Sequence, residues 1–391
     1  MYLGRLGARR QIRHRLRTAL VQSRLEGLCQ QALSAVPDGD TVDDYFATVP
    51  PQAVQAIPQA MVRDLLEARR LEDFRLLGRY YLLTVDLSGH LYLGERPSAF
   101  TQGCLTQTTE EGRTFYYRPV CEAKLVTRTG LALSVGSEFV ENPPGFDPKG
   151  AQDSELSAAG RLFPRVKEAF PGFAFCALLD ARYCNETGFA LCQKNDWRFL
   201  ITFKEGSLPT VWQEYQTLRG LTPQNRRTVR VGEIRHEYAW VNGIAYGTRR
   251  LNVLECRWTD EKGNHCFVWV TDIPLTAENC DPLAQEGGRL RWKTENEGFR
   301  AQKHGGFEME HAYAKRPTPA KNFYLLLQAA HILSQMLECY CHGKKAVQRA
   351  FGSLRNLGYA LLESFRRDPI PEPELLRLFL EEPIQIRLNT S

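Results

Sequence analysis

Two aspartates each close an apolar run. Tyr80-Tyr81-Leu82-Leu83-Thr84-Val85 leads into Asp86, and Phe173-Ala174-Phe175-Cys176-Ala177-Leu178-Leu179 leads into Asp180. A carboxylate beside a buried strand is costly unless it is paired or binds a cation. One acid at a strand end reads as a loop or cap residue. Two at one sheet edge would repel each other without a metal between them, so the pair reads as a metal site. Glu295 is the third candidate, four residues after Arg291 and hence on the same helix face. From spacing alone, that pair would be an ordinary surface salt bridge. Its competitor, Glu297, points about 160° away on a helix that turns roughly 100° per residue. Two magnesium ions bridged by carboxylates about 3.5–4 Å apart can clamp a phosphodiester, one activating the attacking oxygen and one stabilising the leaving oxygen. Magnesium keeps several waters, so three acids from distant parts of the chain suffice.

The elements that must position these acids form a mixed α/β order. Tyr80–Asp86 reads as a buried strand, followed by strands over Phe115–Val126 and Leu131–Glu141. Asn142-Pro143-Pro144-Gly145 is a loop. Ser154–Phe170 has a helical apolar stripe, stopped by Pro171-Gly172, and Phe173–Asp180 is the fourth strand. Continuously apolar strands need helices on both faces, and ligands bind such sheets at the carboxyl ends of their strands. Residues 197–275 look mostly β, with candidates at Trp197–Phe203, Thr228–His236, Glu237–Tyr246, Leu251–Thr259 and Cys266–Thr271. A helix begins after Gly287-Gly288 and carries Arg291, Glu295, Phe299 and Lys303. Asn322–Phe365 reads as two helices broken near Gly343, before a Pro- and acid-rich tail. The first 24 residues hold seven Arg and no acid on an amphipathic helical pattern, either a solvated face or a phosphate contact. Residues 25–75 continue helical, with a break at Val49-Pro50-Pro51 and a further helix at Leu65–Leu77.

Composition bounds the rest. The 391 residues are 43% hydrophobic and 24% charged, with a net charge of +5, which fits a folded protein of two or three units. No apolar run reaches the roughly 18–20 residues of a membrane span. The N-terminus has no signal-like apolar region. Eleven Cys without paired spacing read as reduced thiols in a cytoplasmic protein. Cys339-Tyr340-Cys341-His342 has zinc-ligand residue types but no second ligand pair nearby.

The stretches LLGRYYLLTVDLSGH, CEAKLVTRTGLALSVGSEFVEN, CALLDARYCNE, FVWVTDIP and RWKTENEGFRAQKHGGFEMEHAY occur in that order. In them the chain resembles the DDE transposases of bacterial insertion sequences, in the branch with a β-rich insertion and a Tyr-Arg-Glu-Lys signature. The resemblance runs from about residue 63 to 345. It implies a ribonuclease H-like mixed-sheet catalytic core interrupted by a mostly β insertion domain, with helical N- and C-terminal regions. It also implies that Asp86, Asp180 and Glu295 are the catalytic metal acids, holding two Mg2+ with Mn2+ as a substitute. The 115-residue spacing from Asp180 to Glu295 leaves room for the insertion. Signature spacing puts Arg at 291 and Glu at 295, and both match; it puts Tyr at 288 and Lys at 302, where this chain has Gly288 and Gln302, with Lys303 as a candidate substitute.

The implied organisation is a basic helical region at 1–75, the first part of the core at 76–195 and the insertion at 196–280. The end of the core follows at 281–345 and a C-terminal helix and tail at 346–391. The implied partners are double-stranded DNA, as element ends and target, and a second copy in a synaptic homodimer, with no membrane and no small-molecule substrate. A nucleoid-associated location in the bacterial cytoplasm follows. Arg291 would orient the third acid or touch phosphate. Arg226 and Arg227 belong to a basic cluster in the β-rich stretch (with Arg230, Arg235, Arg249 and Arg250), and Lys344, Lys345, Arg349 and Arg355 form another. If these residues neutralise phosphates, DNA binding should weaken steeply as salt rises. Trp240, Trp258 and Trp269 read mainly as core packing. Two rivals share the motifs: a catalytically impaired DNA-binding remnant, and a ribonuclease H-like structure-selective nuclease without strand transfer.

Overall fold

Alternation along the central apolar strands feeds two separate cores, one on each face. In β1 (Tyr81–Gly94), Leu83 and Val85 enter one core while Leu82 enters the other. β5 (Phe175–Leu179) and β6 (Arg198–Thr202) split likewise: Ala177 and Ile201 on the first face, Leu178 and Leu200 on the second. Both faces of these central strands are therefore buried and each needs a cover. Helices Pro51–Glu67, Glu155–Ala169, Glu186–Lys194 and Pro209–Leu221 cover the first. An irregular helical stretch from Cys280 to His304 supplies Leu283, Ala284 and Leu290 to the second. The computed structural model describes residues 1–147, 150–340 and 343–368. The C-terminal tail and the Cys341-His342 half of the zinc-type motif lie outside the described residues.

The remaining strands are β2 (Leu105–Thr108), β3 (Thr114–Val126), β4 (Ala132–Phe139), β7 (Arg226–Val231), β8 (Ile234–Tyr246), β9 (Arg249–Asp260) and β10 (Gly263–Thr271). One mixed sheet holds all ten, in the order β2-β3-β1-β5-β6-β10-β9-β8-β7, with β4 also paired to β3. β1 runs antiparallel to β3 and parallel to β5, and β5 runs parallel to β6. β10 pairs antiparallel with β6, so the β-rich stretch continues the sheet.

Several expected boundaries move. β1 does not stop at Asp86; its pairing with β3 carries it through Leu87, Ser88 and Gly89 to Gly94. Its partner β5 ends at Leu179, so Asp86 sits mid-strand where the neighbour has run out. The helix expected over Leu65–Leu77 is absent. Pro51–Glu67 ends there, and Arg69 and Leu77 take left-handed φ values of 56° and 53°. The N-terminal helix is two, Gln11–Arg15 and Ala19–Cys29, restarted by the Thr18 cap. Helix Pro209–Leu221 occupies a stretch read as β-rich. The C-terminal region is Pro317–Tyr340, Lys344–Phe351 and Leu354–Arg367, broken at Gly343 as expected and again at Gly352, where φ is +75°.

Terminal arginines knit the ends together. Arg5 is buried, donates to Ser334 at 3.0 Å and lies 3.5 Å over the Phe307 ring. Arg24 is buried and donates to the Ser364 carbonyl at 3.0 Å. These two of the seven early arginines therefore serve the fold, while Arg10, Arg13 and Arg15 are exposed.

Candidate active site

Parallel pairing aligns Tyr81 with Phe175 and Thr84 with Leu178. Asp86 and Asp180 each lie two residues beyond the end of that ladder, at the same end of the sheet. Strands in a sheet lie about 4.8 Å apart, and residues at matching positions point to the same face. The two aspartates thus share one end of the sheet and the face of Leu82, Thr84 and Leu178. Asp180 is also a cap: its Oδ1 accepts from the Arg182 amide at 2.8 Å, opening the short turn Ala181–Tyr183.

The local field is strongly anionic. Burial lifts the Asp86 carboxyl to about 6; Arg291 pulls against this, while the charges of Glu155 and Asp180 add to it. Arg291 Nη1 stands 3.6 Å from Asp86 Oδ2, and the Leu87 amide donates to Asp86 Oδ1 at 2.9 Å. Glu155, in the first turn of its helix, is a residue the sequence reading missed. Burial raises its carboxyl, Tyr183 lowers it and Asp180 raises it again. Its Oε2 accepts from Arg182 Nη1 at 3.0 Å. Glu155 first, then Asp180 and Asp86, raise the Arg182 guanidinium above its ordinary value. One signal was available: Ser154 caps a helix directly downstream of two strands, which places residue 155 at the sheet edge.

The covering stretch brings the other candidates. It passes through a wide turn at Leu283–Gly287, a tight one at Gly288–Trp292 and another wide one at Thr294–Phe299. Such wide turns are rare, occur mostly as single bulges and are frequent at functional sites. Thr294 donates its hydroxyl to Thr84 Oγ1, two residues before Asp86 on the same face. Glu295 follows Thr294 and is exposed. Glu297 lies instead against Gly130 in the turn between β3 and β4. An open hollow of about 570 Å³ adjoins Asp180, lined by Arg182, Lys204, Arg289, Arg291 and Trp292. Among the described residues, no group of three or more His, Cys, Asp or Glu is disposed to hold a metal ion.

Both signature departures have a packing cause. A Cβ on Gly288 would stand 2.4 Å from the indole of Trp269, which is buried and fills the space a larger residue needs. Gln302 is buried, donating to Gln328 Oε1 at 2.7 Å and meeting His331 Nδ1 at 3.1 Å. Its neighbour Lys303 pairs with Glu310 at 3.2 Å. Arg227 donates to the Ala277 carbonyl, while Arg226 is exposed on edge strand β7. Trp240, Trp258 and Trp269 are all buried. No disulfide joins cysteines among the described residues, and no helix among them is long and apolar enough to cross a membrane.

No family model matches the chain, and no curated protein matches it in sequence. Among solved structures it is similar to the piggyBac transposase in the cryo-EM structure of its synaptic complex with hairpin DNA. That likeness has 12% identity and a TM-score of 0.38, and covers 80% of this chain and 59% of the other. The chain thus spans less than two thirds of the length of that structure's chain, and what it does must be read from its own residues.

Proposed function

We propose that the chain is a DNA transposase acting by metal-dependent phosphoryl transfer, with a ribonuclease H-like core. One observation carries the reading: Asp86 and Asp180 each lie two residues beyond the end of the β1–β5 ladder, and the field there lifts Asp86 to about 6. The order β4-β3-β1-β5-β6, with only the first two pairings antiparallel, supports the core assignment. A desolvated carboxylate with like-charged neighbours, Asp86 with Glu155 and Asp180 acting on it, is a donor that suits a divalent cation. Asp86, Asp180 and Glu295 would hold magnesium, or manganese in its place, which would supply an activated oxygen nucleophile and neutralise charge on the phosphate. Arg291 balances Asp86 in the resting site and can turn toward a phosphate oxygen. Arg182, Lys204 and Arg289 add positive charge along the adjoining hollow. Water would first hydrolyse a phosphodiester at the element end, and the freed 3′-hydroxyl would then attack a target phosphate. Positioning and charge neutralisation suffice for this chemistry. Two copies would pair the element ends.

The test is strand cleavage of element-end DNA in magnesium by wild type, Asp86→Ala, Asp180→Ala and Glu295→Ala. Each variant should lose activity by at least about 100-fold, the scale on which removing one preorganised electrostatic group acts. Retained cleavage in any one removes that residue from the site. Gly288 and Gln302 favour a second reading, an impaired remnant that binds ends without cutting. Salt-sensitive end binding with no cleavage in magnesium or manganese would establish it. Cleavage without joining of pre-cut ends would instead mark a structure-selective nuclease.

A further inference from the structure

The strands that lead to the aspartates begin at a cationic cleft. It is open, holds about 640 Å³ and lies where β1, β5 and β6 start. The five residues Phe175–Leu179 separate it from Asp180, a span of roughly 17 Å at about 3.3 Å per residue. Arg79, Lys167, Arg198, Arg249 and Arg250 line it, against only Asp196 and Asp272. Three of the five cations are engaged. Arg198 pairs with Asp272 at 2.9 Å, Lys167 with Asp196 at 3.9 Å, and Arg249 with Glu186 and Gln193.

The other two are uncommitted. Arg79 is exposed and rests 5.2 Å over the Tyr80 ring. Arg250 is exposed and donates only to the Gly243 carbonyl, at 3.1 Å. Neither makes an ion pair among the described residues. A guanidinium presents a fixed fork of donors matched to two phosphate oxygens. Two exposed guanidinium groups without a carboxylate partner, on an open, net-positive wall, suit a backbone passing across it better than a small ligand enclosed by it.

We propose that this cleft binds the phosphate backbone of a duplex DNA segment separate from the one at the aspartates. The proposal rests on the transposase reading for the identity of the polyanion, and its test is independent of cleavage. Full-length wild type and the Arg79→Ala/Arg250→Ala double variant are compared for binding to a linear duplex across a salt series. Each phosphate contact contributes about 0.9 to the slope of log K against log salt, so the double variant should lose about 1.8. Arg79→Lys/Arg250→Lys keeps both charges and should keep the slope. An unchanged slope in the alanine variant overturns the cleft. So does binding of inorganic phosphate or ATP by wild type, but not by the alanine variant, that leaves duplex binding unchanged at matched ionic strength; the cleft would then take free phosphate compounds. Asp86→Asn should keep the slope and lose cleavage. A wild type that never cleaves, alongside a reduced slope in the alanine variant, refutes the transposase reading and leaves the cleft standing.

Discussion

Asp86 and Glu122 stand directly opposite each other on β1 and β3, and they are opposites in every other respect. Glu122 is fully buried and fully occupied. Ser134 and Ser137 donate to its two oxygens, Tyr324 donates at 2.9 Å, and Lys124 lies 3.4 Å away. Asp86 keeps 24% of its side chain exposed and has one cation at 3.6 Å, with two further carboxylates acting on it. Adjacent positions on one sheet thus hold a carboxylate that the protein has satisfied and one that it has left wanting a cation. A buried acid whose hydrogen-bonding capacity is filled serves the fold. An acid with unmet charge beside a hollow is a candidate for chemistry.

The comparison breaks if the two respond alike to loss of charge. Glu122→Gln strands the fully buried Lys124, whose ammonium is already pushed down by burial and held up by Glu122. Removing one partner of such a pair costs about 3–5 kcal/mol, so urea unfolding at neutral pH should show the largest loss of any single variant considered. Asp86→Asn should move the other way. A folded carboxyl at about 6 against an ordinary 3.8 contributes stability that is complete below 3.8 and lost as pH rises through 6. At pH 7 the asparagine variant should therefore be the more stable protein, by on the order of 2 kcal/mol in metal-free buffer, with the gain gone near pH 4. Paired melts across that range check it. Equal stability at pH 7 would make Asp86 an ordinary surface acid.

A smaller effect asks what seats the cover over these acids. Gly288→Ala pushes a methyl into the Trp269 ring and should cost about 1–3 kcal/mol, the range for overpacking. Trp269→Phe in the same chain should return part of that loss. If Gly288→Ala melts like wild type, the stretch carrying Arg291 and Glu295 is looser than its packing indicates.

The sequence exposed the acids better than their surroundings. Apolar runs disclose β1 and β5 because both faces are buried, and Ser154, Pro50-Pro51 and Gly343 mark real boundaries. Other features depend on contacts that local pattern does not encode. Leu87-Ser88-Gly89 reads as a strand terminus, yet pairing with β3 extends it. Helix Pro209–Leu221 buries only Val211 and Tyr215, so its stripe is faint. Glu122 lies in a strand-like run, and the partner that marks it as structural, Tyr324, is 202 residues away. The stretch over Asp86 is helical as expected, but its irregular turns include Gly288 fitted against Trp269 and Gly298 against Lys124, neither visible as a period.

Glu155 lies between the two extremes, and Arg182 is the means of moving it. One Glu155 oxygen takes the guanidinium at 3.0 Å; the side chain is 10% exposed and that of Arg182 74%. Arg182→Ala should cost the fold less than about 1 kcal/mol, because the arginine is a solvated partner. It also removes the cation that holds the Glu155 carboxyl down, so burial and Asp180 should drive that carboxyl further up. If Glu155 belongs to the site, the rising limb of cleavage against pH should shift to higher pH in Arg182→Ala, while the melting temperature scarcely changes. If Glu155 only anchors its helix, the limb stays where wild type has it. Glu155→Gln then separates the contributions: it abolishes the titrating group and leaves Arg182 free, so a limb that persists unmoved in both variants assigns the acid to the fold alongside Glu122, and one that changes in both assigns it to the site alongside Asp86.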